Sequence, residues 1–272
     1  MYIVADIGGT KTRVAKSVDL ENIEEPVVIG TPKRYDEGIS TIIKMAKDIA
    51  GGEKIDAIAL DIAGLISPDE TTPLVASHLP DWKGRPLGRE LEAALSTRVH
   101  VLNDTAQVGL GEAVYGAGKG ARIVVYVTVS TGVNGVRIVD GKIDPAAFGF
   151  EIGGQYLMIA GAPKTFEDLV SGRAIQEKYE MNPKLIEKDS PVWEELARLC
   201  AFGLHNTILH WSPDRVVLGG SMFNEIGIPV DRVRSHVAGI MRKFPSVPEI
   251  VHSELGDLGG LWGGIARLKQ LG

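Results

Sequence analysis

The 272-residue sequence contains a single cysteine, Cys200, so it cannot form an internal disulfide. The N-terminus leads straight into an apolar strand, with no basic leader segment or cleavage pattern. Since disulfide-free chains are typical of reducing compartments, we expect a cytoplasmic protein. No stretch approaches the roughly 20 consecutive apolar residues that a membrane span needs, and we therefore expect no membrane partner.

Positive charge is also scarce, because the net charge is −6 and no basic cluster is present. This balance argues against binding to the phosphate backbone of a nucleic acid. It leaves room for a small anionic ligand that is held by local backbone amides. Glycine, in contrast, is abundant at 33 residues, and these glycines occur in clusters.

The first glycine cluster follows the apolar run 1–5 and reads Asp6-Ile-Gly-Gly-Thr-Lys11. Extended structure resumes at 13–15, which predicts a turn within a hairpin; a P-loop or dinucleotide fingerprint would need a helix there. Outward-pointing amides at Gly8 and Gly9 can bind phosphate, with the Thr10 hydroxyl and the Lys11 charge beside them. Asp6 suits Mg²⁺ held through water. The alternative is a hairpin turn that uses glycine for its geometry alone.

A second hairpin repeats this arrangement. We predict a strand at 123–129, a turn at 130–135 and a returning strand at 136–139. The turn, Ser130-Thr-Gly-Val-Asn-Gly135, is compatible with a phosphate cradle and with an ordinary loop. Together, the two turns predict a nucleotide clamped between two α/β lobes, 1–116 and 117–272, with the last helix packing back on the N-terminal lobe.

Hydrophobic periodicity predicts the remaining elements of an alternating α/β chain. A long helix opens at Thr165 with Asp168 as its capping partner, and a second opens at Ser190-Pro191. Stretch 159–165 is interpreted as a short loop. The other predicted helices are 39–50, 87–95 and 256–268, and the other predicted strands are 55–60, 99–102 and 215–218.

Six motifs stand out along the chain: Asp6-Ile-Gly-Gly-Thr-Lys11, Leu102-Asn-Asp-Thr-Ala-Gln-Val-Gly-Leu-Gly-Glu112, Thr131-Gly132, Phe150-Glu-Ile-Gly153, Phe166-Glu-Asp-Leu-Val-Ser-Gly-Arg-Ala174 and Val217-Leu-Gly-Gly220. They occur in the order in which they are found in the ROK family of bacterial and archaeal sugar kinases and sugar-responsive repressors. The sequence resembles that family over nearly its whole length, and Leu79-Pro-Asp-Trp82 adds a similar leucine and tryptophan. The resemblance implies an α/β, two-lobed actin-like ATPase (ribonuclease H-like) fold with a central interlobe cleft.

The resemblance implies phosphorylation of a sugar by ATP with Mg²⁺. Asp104 matches the family's general base, which accepts the proton of the attacking hydroxyl; the alternative role for Asp104 is a helix N-cap. Asn103, Glu151 and Glu167 match sugar-binding positions, and Gly64 would present its backbone to the sugar. The two glutamates could instead be surface acids. The nucleotide would contact Asp6, Gly8, Gly9, Thr10, Lys11, Thr131, Gly132, Gly219, Gly220 and Ser221.

The sequence departs from the family at its zinc site. At the position of Gly154 most members have a histidine. That histidine contacts the sugar and binds Zn²⁺ together with three cysteines, and both the histidine and the three cysteines are missing here. We therefore predict no zinc. Gln155 could replace the lost sugar contact, the substrate could differ from glucose, or phosphoryl transfer could be weak. None of the six histidines has the sequence spacing of metal ligands. His78 is a candidate pocket residue.

Three functions are compared. A sugar kinase is favoured because Asp104 and both phosphate turns are present. A transcriptional repressor is disfavoured, since that branch carries a helix-turn-helix before the first glycine motif, where this sequence has five residues. A catalytically weak or inactive sugar or nucleotide sensor is the alternative. The sequence does not choose between hexoses and N-acetylhexosamines, or between ATP and polyphosphate; the family resemblance implies a homodimer.

Overall fold

A computed structural model describes residues 1–272. The strands are β1 (Tyr2–Ile7), β2 (Lys11–Ser17), β3 (Val27–Gly30), β4 (Ala57–Ile62), β5 (Arg98–Asn103), β6 (Ile123–Val129), β7 (Val133–Val139), β8 (Lys142–Ile143), β9 (Tyr156–Ile159), β10 (Ala162–Thr165), β11 (Arg215–Gly219) and β12 (Glu249–His252). The α-helices are α1 (Tyr35–Ala50), α2 (Leu87–Leu95), α3 (Asp104–Val114), α4 (Phe166–Val170), α5 (Gly172–Tyr179), α6 (Pro191–Trp211), α7 (Val230–Ile240) and α8 (Gly259–Leu271). None of these helices combines the length and apolar character needed to cross a bilayer.

The chain forms two compact units. Unit 1 comprises Met1–Val114, Pro145–Gly149 and Asp257–Gly272, and unit 2 comprises Tyr115–Asp144 and Phe150–Gly256. The lobe boundary at 116/117 remains a proposal.

Unit 1 is built on a five-stranded sheet with the order β3-β2-β1-β4-β5. Strands β1, β2 and β3 form an antiparallel meander, whereas β4 and β5 run parallel to β1. The strands are rich in β-branched residues, and one buried cluster joins the sheet to α1 and α2 through Ile7, Leu60, Trp82 and Leu91. This sheet brings the ends of β1, β4 and β5, with the residues that follow them, to one edge.

Helix α8 packs on the other side of this sheet region against α3, β1 and β4. Its small residues permit an unusually close approach, as the sequence predicts. A Cβ on Gly263 would lie 1.8 Å from the Gln107 carbonyl oxygen, and one on Gly111 would lie 2.5 Å from the Gly259 carbonyl oxygen. Side chains at these positions would therefore push α3 and α8 apart.

Unit 2 repeats the strand arrangement, with the order β12-β11-β6-β7-β8. Again, the first two strands of the unit, β6 and β7, form an antiparallel hairpin, and β11 and β12 join in parallel. A buried cluster joins this sheet to α4, α6 and α7 and includes Phe166, Trp193 and Leu204. The predicted repetition of the first hairpin is therefore confirmed at the level of the whole sheet.

Several local predictions need correction. The turn predicted at 130–135 ends at Gly132, because 133–135 already pair with β6. Thr165 caps a helix as predicted and accepts from the Asp168 amide at 3.1 Å, but that helix is short. It ends at Val170, and the next residue, Ser171, has an extended backbone and a side chain that accepts from the Ala174 amide to cap the start of α5. The capping residue thus divides the predicted long helix in two.

The stretch interpreted as a short loop, 159–165, is part of the hairpin β9–β10. Ala160 and Gly161 both have positive φ, +52° and +81°, and form its two-residue turn. Two-residue hairpin turns of this kind favour Asn-Gly or Asp-Gly, so the Ala-Gly pair does not predict a hairpin. Helix α1 begins at Tyr35, earlier than the predicted 39, whereas α8 begins at Gly259 after a short 3₁₀ turn, later than the predicted 256.

Candidate active site

The first glycine turn joins β1 to β2 in unit 1. The Gly8 amide donates to the Lys11 carbonyl at 2.9 Å, which closes the turn. The β3–α1 connection braces it from outside: the Thr31 hydroxyl donates to the Gly8 carbonyl at 2.7 Å, and the Lys33 ammonium donates to the Gly9 carbonyl. The amides of Gly9 and Thr10 have no protein acceptor. A turn with two available amides and a nearby ammonium can bind an anion.

Two neighbouring carboxylates, half-buried Asp6 and buried Asp61, lie next to this turn. Asp6, near the end of β1, is in register with Asp61 on the parallel strand β4. Asp6 accepts from Arg13 at 3.0 Å, and Arg13 also contacts Asp257 at 2.5 Å. Asp61 is 1% exposed and accepts from the Gln107 side-chain amide at 2.7 Å through Oδ2. Its other oxygen, Oδ1, accepts no hydrogen bond, although it is buried.

Burial raises the pKa of each carboxylate in this region. For Asp6, burial and the negative charge of Asp104 raise the pKa, whereas Arg13 opposes the shift. For Asp61, burial and the charges of Asp6 and Asp104 raise the pKa well above the ordinary value. Burial and these neighbouring charges therefore favour the neutral form of Asp61. We call the three interacting carboxylates of Asp6, Asp61 and Asp104 the acidic cluster; the charge of Arg13 opposes the shift at Asp6 and Asp61.

Asp104 is the first residue of α3, directly after β5. Its Oδ1 accepts from the adjacent Thr105 amide at 2.8 Å. The capping bond to the third helical residue comes from its neighbour, because Asn103 Oδ1 accepts from the Ala106 amide at 3.0 Å. Burial raises the pKa of Asp104, and the Thr105 amide and the charge of His78 oppose that rise. Asn103, and not Asp104, therefore caps the N-terminus of α3.

Asn103 also connects β5 to the segment that follows β4. Its side-chain nitrogen donates to the Gly64 carbonyl at 2.9 Å. Gly64 has a φ of +135°, and a Cβ there would lie 1.9 Å from the Val75 carbonyl oxygen, so only glycine suits this position. The structure thus brings together the predicted residues Gly64, Asn103 and Asp104 at one edge of the unit 1 sheet.

The second glycine turn, Ser130–Gly132, joins β6 to β7 in unit 2. Glu167 lies against it: its Oε2 accepts from the Val133 amide at 2.9 Å, and its Oε1 contacts Arg173 at 2.7 Å. A Cβ on Gly132 would lie 2.7 Å from Glu167 Oε2. The structure therefore brings the predicted sugar residue Glu167 next to the predicted nucleotide residue Gly132.

The turn also contacts the segment after β11. The hydroxyls of Ser130 and Ser221 lie 3.0 Å apart. Gly220 has a φ of +90°, and a Cβ there would lie 2.4 Å from the Val129 carbonyl oxygen. Thr131 and Ser221 line a cavity of about 630 Å³, whose wall continues along α5 and includes Arg173, Glu177, Glu180 and Lys184. Of the nucleotide residues predicted in unit 2, Thr131 and Ser221 thus line one cavity, whereas Gly132, Gly219 and Gly220 do not.

The region around Gly154 holds no cluster of three or more His, Cys, Asp or Glu side chains with metal-binding geometry, and neither does the rest of the chain. A Cβ on Gly154 would meet nothing within 4 Å, so the position is open. Glu151 is exposed, and its carbonyl accepts from the Gly154 amide at 3.1 Å. Gln155 reaches Thr207 on α6 at 3.4 Å. The absence of zinc remains a prediction.

Sequence reasoning missed Asp61 and Gln107, which hold the acidic cluster together. Both are fully buried polar side chains. Asp61 interrupts an otherwise apolar strand, and an ionisable residue there is a signal that sequence alone could have used. Gln107 lies within the quoted motif 102–112, but its contacts with Asp61 and with the Gly260 carbonyl at 2.8 Å depend on tertiary packing.

The sequence profile of the ROK family matches residues 2–270. The chain belongs to the ROK family. Its fold is the actin-like ATPase fold of ROK sugar kinases, as predicted.

Individual relatives are distant but cover nearly the whole chain. A glucokinase from Streptomyces coelicolor is 26% identical over 97% of this chain and 96% of its own length. An N-acetyl-D-glucosamine kinase from Photobacterium profundum is 26% identical over 97% of both chains. A ROK glucokinase from Streptomyces griseus, solved with glucose and AMPPNP, superposes with a TM-score of 0.81 at 24% identity and covers 100% of this chain and 99% of its own. At that identity the structural likeness supports the fold alone.

Proposed function

We propose that this protein is a carbohydrate kinase that transfers the γ-phosphoryl group of ATP to a hydroxyl of a hexose or N-acetylhexosamine. The observation that carries the proposal is the position of Asp104. The Asp104 carboxylate, whose pKa is raised, lies at the edge of the unit 1 sheet, next to Asn103, which is bonded to Gly64. Its charge also raises the pKa of Asp6, which precedes the first glycine turn. Family membership and the sugar-kinase names of the relatives support the same activity.

In the proposed reaction, Asp104 accepts the proton of the attacking sugar hydroxyl. Burial raises its pKa toward the working range of a base, and the Thr105 amide keeps the carboxylate oriented. Asn103 has both ends of its amide bonded to protein, which fixes its remaining N–H for a sugar oxygen. Gly64, Glu151 and Glu167 are the other proposed sugar contacts.

The phosphates of the donor are assigned to the two glycine turns. In unit 1, Gly8, Gly9, Thr10 and Lys11 form a turn with available amides. In unit 2, the proposed donor contacts are Thr131, Gly132 and Gly219–Ser221, of which Thr131 and Ser221 line the cavity of about 630 Å³, a volume suited to a nucleoside. Within that cavity Arg173 and Lys184 are balanced by Glu177 and Glu180, and Lys184 is further paired with Glu225 at 2.8 Å. This balance favours a nucleoside over a long polyphosphate chain.

Asp6 is the residue proposed to hold a hydrated Mg²⁺. No group of three or more Asp, Glu, His or Cys side chains is placed to ligate a metal directly, which agrees with a cation held through water. Mg²⁺ would be held through water at Asp6, together with the donor phosphates. When bound, it neutralises charge on the transferring phosphoryl group.

A sugar or nucleotide sensor is the second candidate, and one observation favours it. Gly154 leaves open space where a side chain could contact a sugar. A sensor that lacks this contact would still bind the sugar but would not phosphorylate it. The proposal also includes a homodimer and a cytoplasmic location; buried Cys200, whose thiol pKa is raised by burial, is consistent with a thiol that stays reduced.

A substrate screen tests the proposed function. Purified protein with Mg²⁺ is offered glucose, fructose, mannose, N-acetylglucosamine and N-acetylmannosamine, with ATP or polyphosphate as donor. We expect sugar-dependent ADP release with at least one sugar, and no turnover with polyphosphate. Sugar binding by calorimetry without any turnover would replace the kinase with the sensor.

A further inference from the structure

His78 lies directly against the first glycine turn. A Cβ on Gly9 would stand 2.6 Å from the His78 Cβ and 3.2 Å from its Cγ, so the imidazole begins in contact with the turn. The backbone on either side is fixed, since the Ser77 amide donates to the Ala63 carbonyl at 3.3 Å and Leu79 is buried. The side chain itself is exposed. The His78 ring is therefore exposed, whereas the backbone that carries it is held in place.

The ring is also close to the proposed base. The charge of His78 acts on Asp104 and partly opposes the rise in pKa that burial causes there. No protein group forms a hydrogen bond with the His78 ring nitrogens, whereas the nearby cation Arg13 is committed to Asp6 and Asp257. A histidine ring always carries at least one N–H donor, whatever its protonation state. His78 therefore offers an N–H donor beside the phosphate turn, and its charge acts on the base.

We propose that His78 donates a hydrogen bond to the phosphoryl group as it passes from the donor to the sugar. This inference rests on the proposed function. In the step, the sugar oxygen attacks the γ-phosphorus, the bond from that phosphorus to the bridging oxygen of ADP breaks, and the hydroxyl proton goes to Asp104. His78 keeps its own proton and stabilises charge on the equatorial oxygens.

A structural role is the competing explanation, because the ring could simply cover Gly9. Two substitutions separate these roles. His78→Phe keeps a ring against Gly9 but has no donor, whereas His78→Gln keeps a neutral N–H donor without the ring. His210→Phe is the matched control, since His210 is an exposed histidine on α6 that makes no hydrogen bond.

With the sugar identified by the screen, we expect His78→Phe to lower kcat by about 10²-fold, the typical effect of losing one transition-state donor. The KM for sugar should change less than about twofold, since the contact forms with the transferring group. His78→Gln should recover part of kcat, and His210→Phe should behave like the unmutated protein. The melting temperature should be unchanged throughout.

Three results would overturn the inference: an unchanged kcat in His78→Phe, a raised sugar KM with normal kcat, or no recovery in His78→Gln. A protein that turns over no sugar would contradict the proposed function instead, and a second measurement then tests His78 by itself. In ¹⁵N-labelled protein the His78 ring signals, assigned by their loss in His78→Phe, should shift on addition of inorganic tripolyphosphate. Unmoved signals would contradict a phosphate contact.

Discussion

The two glycine turns occupy equivalent places in the two units, but their surroundings differ. Each turn connects the first two strands of a five-stranded sheet with the same strand order. Below the first turn, the neighbouring strand β4 adds Asp61 in register with Asp6. Beside the second, the equivalent strand β11 ends in Gly219, paired with Thr128, and adds no side chain there. One turn therefore lies next to a carboxylate pair, of which Asp61 is buried, and the other borders a cavity.

We propose that the two units contribute different parts of the reaction. In unit 1, burial raises the pKa values of Asp6, Asp61 and Asp104, which suits a proton acceptor and a cation. In unit 2, glycines and hydroxyls leave room for a ligand. The carboxylates whose pKa is raised all lie in unit 1.

The largest effect is expected from Asp104→Asn. The amide keeps the size of the side chain but cannot accept the hydroxyl proton, so kcat should fall by about 10²–10⁴-fold. Sugar affinity and melting temperature should change little. Steady-state kinetics with calorimetric titration of the sugar measures both. Asp48→Asn, at an exposed position on α1, is the control, and full activity in Asp104→Asn would remove the base from the proposed mechanism.

A smaller effect on activity is expected from Gly220→Ala, next to the second glycine turn. The new Cβ would meet the Val129 carbonyl oxygen at 2.4 Å, and φ is +90°, so we expect a loss of about 1–3 kcal/mol in unfolding free energy. The KM for ATP should rise more than the KM for sugar. Gly239→Ala, in a helix with open space around it, should be neutral or stabilising. Equal stability of the two variants would contradict the packing described for β11.

How much of this could be predicted depends on the range of the interactions involved. The glycine turns and the alternation of strands and helices follow from local patterns in the sequence, whereas the role of Asp104 is implied by the family resemblance. The Asp6–Asp61 pair depends on the register of two strands more than 50 residues apart, and the His78–Gly9 contact depends on how the 63–79 connection folds back. The break at Ser171 was missed because a capping serine inside a helical pattern resembles an ordinary helical residue.

A moderate effect on stability is expected from Asp61→Asn. The folded-state pKa of Asp61 is raised, so its protonated form favours folding below the unfolded value of 3.8, and this contribution is lost as pH rises through the folded-state pKa. The variant avoids this loss because its amide can donate toward Asp6 at any pH. We expect it to be more stable by the order of 1 kcal/mol near pH 8, and no more stable below pH 4. Urea unfolding across this range measures the difference; a gap independent of pH would contradict a protonated Asp61.

The smallest effect is expected on removal of metal by a chelator. With Gly154 in an open position and no cluster of metal ligands beside it, purified protein should contain well under one Zn²⁺ per chain. Chelation should leave the melting temperature unchanged. Stoichiometric zinc by elemental analysis would show that unit 2 holds a metal site by another route.

The central claim is phosphoryl transfer to a sugar, and ³¹P NMR of the reaction tests it most directly. The unmutated protein is incubated with Mg²⁺, ATP and each sugar of the screen. The account predicts a new sugar phosphate monoester signal that grows in a 1:1 ratio with ADP. Free phosphate in place of the monoester, or no reaction with any sugar, would contradict it.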